Sequence, residues 1–137
     1  MYGLAGLRLG YGICDREIVS LLDRVREPFN VNSLAQAAAL ACLRDKDYYR
    51  KIIKEISIQR KYLYNHLKAM GLTFVESVTN FILIDVKRNS FNVSQRLLQR
   101  GVIIRDMGFW GLDTYIRVTI GTPRENQRFI RALKEVL

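Results

Sequence analysis

The sequence predicts an α+β fold, in which long helices lead into a small sheet with helices on one face. Three observations support this prediction. Apolar residues recur at helical spacing as far as Gly71, whereas the chain beyond it carries short apolar runs of strand length. A helix-start motif, Thr122-Pro123-Arg124-Glu125, then precedes the last apolar residues. The elements after Gly71 are predicted in the order β-β-α-β-β-α.

The first thirty residues predict a glycine-rich turn, a short strand and a helix. The strand is expected over residues 9–13, which form a mostly apolar run. Asp15 can cap a helix over residues 16–27, whose apolar residues share one face. Pro28 ends that helix, because proline has no N–H to donate and disfavours helical backbone before it.

Two further helices are predicted before Gly71. Ser33 and Gln36 have the spacing of a capping box. Residues 34–43 after them are apolar all round, so this helix should be buried and closely packed. Residues 46–70 have the spacing of a long amphipathic helix, for which Gly71 is a natural C-cap.

The chain beyond Gly71 predicts four strands and two helices. The run 81–86 is almost continuously apolar, as expected for a central strand covered on both faces. In the alternating run 115–120, Arg117 falls on the face opposite the isoleucines and the valine. The other predicted elements are strands over 72–75 and 102–105, a helix over 90–99 and a final helix from residue 123.

Composition limits the possible partners. Lysine and arginine outnumber aspartate and glutamate by 22 to 13, which gives a net charge of +9. The basic residues are densest over 44–68, where they fit either a nucleic-acid surface or the solvated face of a long helix. No nucleic-acid module is recognisable, so the solvated face is favoured and no nucleic-acid partner is expected.

The sequence also favours a cytoplasmic protein with no membrane partner. No apolar run approaches the ~20 residues of a membrane-spanning helix, and the first residues lack the pattern of a secretory signal. Cys14 and Cys42 are too few for a disulfide framework and have no metal-type spacing. Two free thiols in a reducing compartment are expected, and no metal site is predicted.

The segment 2–12 has the composition of a phosphate-binding turn. Its glycines allow close approach of the backbone to a ligand. Arg8 offers a planar fork of N–H donors that suits a phosphate. A phosphorylated cofactor is therefore a reasonable ligand for this turn.

Arg105 and Arg117 are the other candidate binding residues. An arginine in or at the end of a covered strand needs an anionic partner, because an unpaired buried charge is costly. That partner is either a ligand carboxylate or phosphate, or a structural carboxylate. Asn80, before a predicted strand, is either a turn residue or a ligand-binding residue. The candidate structural carboxylates are Glu76, Asp85 and Asp106.

Five blocks of the chain resemble the histidinol-phosphate aminotransferases, which are fold-type I enzymes that depend on pyridoxal phosphate (PLP). The resemblance extends over essentially all 137 residues, in order. The blocks at 28–41 and 115–126 restrict the resemblance to this group within the aminotransferases. The blocks are YGLAGLRLGYG at 2–12, PFNVNSLAQAAALA at 28–41, TNFILI at 79–84, RGVIIR at 100–105 and YIRVTIGTPREN at 115–126.

The resemblance implies a role for each candidate residue. Arg8 matches the arginine that binds the PLP phosphate, and Arg117 the arginine that holds the substrate α-carboxylate. Arg105 matches an arginine near the distal phosphate of the substrate, and Asn80 would line the carboxylate end of the site. The family's Schiff-base lysine falls immediately before Met1, so no catalytic residue is assigned within the chain.

The resemblance also implies how the chain divides. Residues 1–30 would be the last strand and helix of the PLP-binding large domain. Residues 31–70 would be interdomain helices, and residues 71–137 a small C-terminal domain. The intact enzyme would be a homodimer that transfers an amino group between histidinol phosphate and 2-oxoglutarate in histidine biosynthesis.

Further expectations concern the chain by itself. It should be inactive and bind PLP weakly or not at all, and it should self-associate through residues 1–30 or be disordered there. Two alternatives stay within the cofactor class, namely an aromatic aminotransferase and a threonine-phosphate decarboxylase. A third is a non-catalytic interaction or regulatory module derived from this fold, which salt-dependent DNA binding would favour.

Overall fold

The computed structural model describes residues 2–137, and contacts divide the chain into the units Met1–Ile52 and Ile53–Leu137. The division falls inside a long helix. The helices are α1 (Arg16–Val25), α2 (Ser33–Arg44), α3 (Lys46–Ala69), α4 (Ser90–Gln99) and α5 (Pro123–Val136). The strands are β1 (Thr73–Val75), β2 (Phe81–Asp85), β3 (Arg105–Asp106) and β4 (Tyr115–Thr119), and short 3-10 turns occupy Leu4–Leu7 and Gly108–Trp110.

The strand predicted over residues 9–13 is wrong for this structure. Residues 9–15 have no regular secondary structure, and the chain before them forms the 3-10 turn Leu4–Leu7. A strand needs a hydrogen-bonded neighbour, and residues 2–52 provide no strand for this run to pair with.

Helix α1 confirms the helix predicted after Asp15. The Asp15 carboxylate accepts a hydrogen bond from the Glu17 N–H at 2.9 Å, as an N-cap should. The helix ends at Val25, before Pro28. Its apolar side chains remain exposed, namely Ile18, Val19, Leu21, Leu22 and Val25.

Helix α2 corrects two predictions. Its N-cap is Asn32, whose side chain accepts from the Ala35 N–H at 2.8 Å, and not Ser33. Asparagine is among the strongest N-cap residues, so Asn32 displaces the serine by one position. The Gln36 side chain donates to the Val31 carbonyl instead of closing a capping box.

The prediction that α2 is buried is also wrong within this chain. Ala35 is the only buried residue among residues 2–52, whereas Leu34, Leu40 and Leu43 are each more than half exposed. An apolar helix is buried only where other elements cover it. Within this unit the 3-10 turn Leu4–Leu7 contacts α2 and covers only part of its surface.

A tyrosine on α3 is fixed to α2 by a hydrogen bond. The Tyr49 hydroxyl donates to Cys42 Sγ at 2.9 Å, and the Tyr49 ring contacts Tyr2 and Tyr48 edge to face. The bond to the Cys42 thiol, followed by desolvation, raises the pKa of Tyr49 to about 12. Both cysteines are free thiols.

We expect the Tyr49 phenol to titrate with a pKa of about 12, against an ordinary value of 10.0. Because the folded chain holds the neutral phenol more tightly, this contribution to stability is complete below pH 10 and disappears towards pH 12. Ultraviolet difference absorbance against pH measures the titration. The Cys42→Ala variant should lower the pKa of Tyr49; an unchanged titration would contradict the role of the thiol.

The C-terminal half of α3 belongs to the core of the unit Ile53–Leu137. Leu63 and Leu67 are fully buried against side chains of the sheet, α4 and α5. Gly71, at φ 68°, ends the helix, and the Leu72 N–H donates to the Leu67 carbonyl as in a Schellman motif. The predicted cap at Gly71 is confirmed. The end of α3 is part of this core. The domain boundary expected at residue 71 stays a prediction.

The sheet is antiparallel with strand order β1-β2-β4-β3. Together with α4 and α5 it confirms the predicted order β-β-α-β-β-α and the central position of β2. The helices cover one face, where Ile82, Ile84, Ile116 and Val118 are buried. Residues on the other face of β2 are half-buried, so the expectation of full cover on both faces is not met in this chain.

The strand predicted over residues 102–105 is shorter than expected, since β3 contains only Arg105 and Asp106. The Val102 N–H bonds back to the Leu97 carbonyl at the end of α4, and the Ile103 side chain is exposed. The ladder with β4 therefore begins only at Arg105. An open cavity of about 460 Å³ separates residues 101–104 from the end of β4.

Helix α5 has the predicted start. The Thr122 side chain accepts from the Glu125 N–H, and the Glu125 carboxylate accepts from the Thr122 N–H and hydroxyl. These hydrogen bonds lower the pKa of Glu125. Buried Asn126 donates to Gln59 Oε1 on α3 and bonds both the N–H and the carbonyl of Gly121, which ties α5 to α3.

None of the helices in residues 2–137 is long and apolar enough to cross a membrane.

Candidate functional site

The face of the sheet away from the helices carries two arginines opposite each other. Arg105 on β3 pairs with Arg117 on β4 in the strand register, and Leu83 on β2 is the partner of Arg117 on its other side. Side chains directly opposite in an antiparallel pair have Cβ atoms about 5 Å apart. The structure thus brings together two of the four predicted site residues.

An aromatic ring lies against each guanidinium. Arg105 Cζ is 5.6 Å from the centre of the Trp110 ring, and Arg117 Cζ is 5.2 Å from the centre of the Phe81 ring. These distances are within the range of cation–π attraction.

Neither arginine has a carboxylate partner in the described chain. Within residues 2–137 no salt bridge or side-chain hydrogen bond from Arg105 or Arg117 is found. Asp106 instead accepts from the Ser90 hydroxyl and the Gly108 N–H, and Asp85 accepts from the Lys87 N–H. The alternative of a structural ion pair is therefore wrong for residues 2–137.

The charge of this face favours anion binding. Like charges directly opposite each other in a sheet are destabilising. Arg105 is exposed and Arg117 is half-buried, so both can reach a ligand. A carboxylate or phosphate placed between them would receive charge-assisted hydrogen bonds and relieve their repulsion.

Asn80 lies at the end of the same sheet, before β2. Its carbonyl accepts from the Ile120 N–H at 2.8 Å, which fixes the backbone, and its side chain is exposed. It is three residues from Leu83, the pairing partner of Arg117, so about 10 Å separates Asn80 from that position along the strand. Asn80 is thus on the same sheet but not adjacent to the arginine pair.

Arg8 lies in the other unit, directly after the turn Leu4–Leu7. It is a non-glycine residue at φ 60°, a conformation that costs about 1–2 kcal/mol. Its exposed guanidinium makes one long hydrogen bond, 3.4 Å to the Ala5 carbonyl. Strained backbone is enriched at binding sites, and the free N–H groups fit the phosphate expected here.

Asn32 holds the Arg8 turn to the start of α2. Its side-chain oxygen caps the helix, while Nδ2 donates to the Leu7 carbonyl at 3.4 Å. The sequence pattern does not indicate this role of Asn32, because the capping-box spacing favours Ser33 as the cap. It does not indicate Trp110 or Phe81 either, because only the strand register places those rings beside the arginines.

The model of the family described as aminotransferase class I and II matches residues 1–133, so the chain belongs to that family.

Three individual proteins show which members of the family the chain is similar to. The chain is 51% identical to histidinol-phosphate aminotransferase from Moorella thermoacetica, over 100% of this chain and 36% of that protein. It superimposes with a TM-score of 0.82 on histidinol-phosphate aminotransferase from Sinorhizobium meliloti in complex with pyridoxal-5'-phosphate, at 30% identity over 98% of this chain and 38% of that one. A more distant likeness is L-threonine-O-3-phosphate decarboxylase from Porphyromonas gingivalis, with a TM-score of 0.71 at 29% identity, over 98% of this chain and 43% of that one.

The chain spans little more than a third of the length of the curated relatives it matches.

Proposed function

We propose that these residues are the C-terminal part of a histidinol-phosphate aminotransferase, which transfers an amino group between histidinol phosphate and 2-oxoglutarate in histidine biosynthesis. The observation that carries the proposal is the pair Arg105 and Arg117, opposite each other on the open sheet face without a carboxylate partner. Both substrates bear anionic groups that a guanidinium can bind with two hydrogen bonds. The relatives named above support the choice of reaction.

In this proposal Arg117 holds the carboxylate of glutamate or 2-oxoglutarate. A two-bond contact fixes the substrate's rotation as well as its position, which is needed for the Cα–H to point at the cofactor. Arg105 would hold the phosphate of histidinol phosphate, and Asn80 would hydrogen-bond the carboxylate end. Phe81 and Trp110 would limit the movement of the two guanidiniums.

Arg8 would bind the phosphate of PLP in the intact enzyme. The exposed guanidinium and the single weak contact to Ala5 fit that group. When bound, PLP supplies the electron sink on which amino transfer depends. The exposed apolar faces of α1 and α2 support a homodimer as the state of the intact protein, and the free thiols support a reducing, cytoplasmic location.

Steady-state assays of the longer protein test the proposal. With PLP it should convert histidinol phosphate and 2-oxoglutarate to glutamate and the corresponding ketone. Residues 1–137 alone, mixed with PLP, should show no turnover and no change in the PLP absorbance. Turnover by residues 1–137 alone would contradict the assignment as part of an enzyme.

The likeness to L-threonine-O-3-phosphate decarboxylase supports a second candidate, a decarboxylase that acts on a phosphorylated amino acid. Such a substrate also carries a carboxylate and a phosphate for the two arginines. Release of carbon dioxide without need for 2-oxoglutarate would favour this function over amino transfer.

A further inference from the structure

The outward side of α5 carries a second group of positive charges, which the proposed function does not use. Arg124, Gln127, Arg128 and Arg131 line an open depression of about 360 Å³. These four residues, here called the α5 row, are all exposed and follow one another at helical spacing. No acidic side chain lines the depression.

The nearby carboxylates are bonded to groups outside the α5 row. Glu125 closes the capping box with Thr122, and Glu135 pairs with Arg100 at 3.0 Å. Within residues 2–137 no salt bridge involves an arginine of the α5 row. The row is therefore a cluster of three positive charges without a neutralising partner in the described chain.

Helix energetics oppose this arrangement. Arg124 is the second residue of α5, beside the positive end of the helix, where a cation is unfavourable. Arg124 and Arg128 are four residues apart and Arg128 and Arg131 three apart, spacings at which like charges repel. An anion bound in the depression would reverse each of these unfavourable terms.

One arginine of the row is already held in place. Arg128 donates from Nη2 to the Arg100 carbonyl at 3.0 Å. The same nitrogen lies so close to Gly101 that a side chain there would displace it. This hydrogen bond restrains the guanidinium before any ligand binds, which lowers the entropy lost on binding.

We propose that the α5 row binds a small anion with two or more linked phosphate groups. Arg124 and Arg131 are seven residues apart, about 10 Å along the helix, which is more than one phosphate spans. The three guanidiniums supply only N–H donors, and the Gln127 amide adds an NH₂ group beside its one acceptor oxygen, so the row suits the oxygens of an oligophosphate. The site is separate from Arg105 and Arg117, because α5 packs on the opposite face of the sheet.

Calorimetric titration of residues 1–137 with inorganic pyrophosphate at low salt tests the proposal. The double variant Arg124→Gln/Arg131→Gln should bind at least about tenfold more weakly, since each lost contact is a charge-assisted hydrogen bond. The control Arg96→Gln/Lys134→Gln removes the same net charge from exposed positions outside the row and should retain the affinity. Equal weakening in both double variants would overturn the proposal.

Further titrations distinguish the possible ligands, and they distinguish binding at the α5 row from binding at the sheet face. Monophosphate should bind more weakly than pyrophosphate. Tighter binding of ATP would support a nucleotide ligand, and equal binding an inorganic one. Arg117→Gln should weaken only binding at the sheet face and leave the binding of pyrophosphate to the α5 row intact; complete loss of binding in that variant would assign the anion to the sheet face and overturn the α5 site while leaving the proposed function standing.

The ligand-free stability provides a check on folding. Since the double variant removes the Arg124 cation from the positive end of α5 and the repulsion of Arg128 by both neighbours, its thermal midpoint should equal or exceed that of the unmodified chain. Pyrophosphate should raise the midpoint of the unmodified chain more than that of the double variant, which keeps the two arginines of the sheet face. A rise of equal size in both would contradict the site.

Discussion

Arg117→Gln in the longer protein should lower kcat/KM for glutamate by about 100-fold to 10,000-fold, since two charge-assisted hydrogen bonds to a carboxylate are lost. The stability of the folded state should not decrease. Arg117 faces Arg105 across the strand pair, and removal of one of two opposed positive charges should leave the thermal midpoint unchanged or raised. Steady-state kinetics and thermal unfolding measure the two quantities on the same preparation.

Two further variants make this result specific. Arg117→Lys retains the charge but loses the planar fork, so most of the activity should still be lost. Arg96→Gln changes the net charge equally at an exposed position on α4 and should leave kcat/KM unaltered. If Arg117→Gln lost activity only in proportion to a lowered thermal midpoint, Arg117 would be a structural residue and the binding role would be wrong.

The second large effect concerns stability. Leu67→Ala should destabilise the unit Ile53–Leu137 by about 2–5 kcal/mol, the usual range for a leucine deleted from a packed core. Leu67 is fully buried against the sheet and the helices. Trp110 is the single tryptophan of the chain and lies in this unit, so its fluorescence during urea unfolding gives the free energy.

Leu98→Ala is the matched control. It is the same chemical change in the same unit, at a side chain that is 50% exposed, and it should cost less than about 1 kcal/mol. Equal effects of the two substitutions would mean that the end of α3 is only a connection and not part of the core.

Local signals in the sequence predicted most of the elements. Asp15, Gly71 and the segment from Thr122 each act through hydrogen bonds to residues within five positions, so their effects can be recognised without the fold. The errors at residues 9–13 and 34–43 have a different origin. A strand and an apolar helix both depend on what lies beside them, and residues 2–52 offer those segments neither a paired strand nor full cover.

Part of the candidate site was also predictable from a local pattern in the sequence. Strict alternation over 115–120 places Arg117 on the face opposite the core, and the structure agrees. That Arg105 lies opposite it depends on strand register, which alternation alone cannot fix across a loop. The contacts of Trp110 and Phe81 with the guanidiniums depend on the same register, and no pattern in the sequence indicates them.

Because of the opposed arginines, salt should change the stability of the sheet and the stability of its anion complexes in opposite directions. Counter-ions weaken the repulsion between Arg105 and Arg117, so added salt should stabilise the ligand-free sheet. The same ions compete for the guanidiniums, so each anionic ligand binds less tightly as salt rises. At low salt, the two adjacent cations should therefore bind an anion most tightly, and the same sheet without an anion should be least stable.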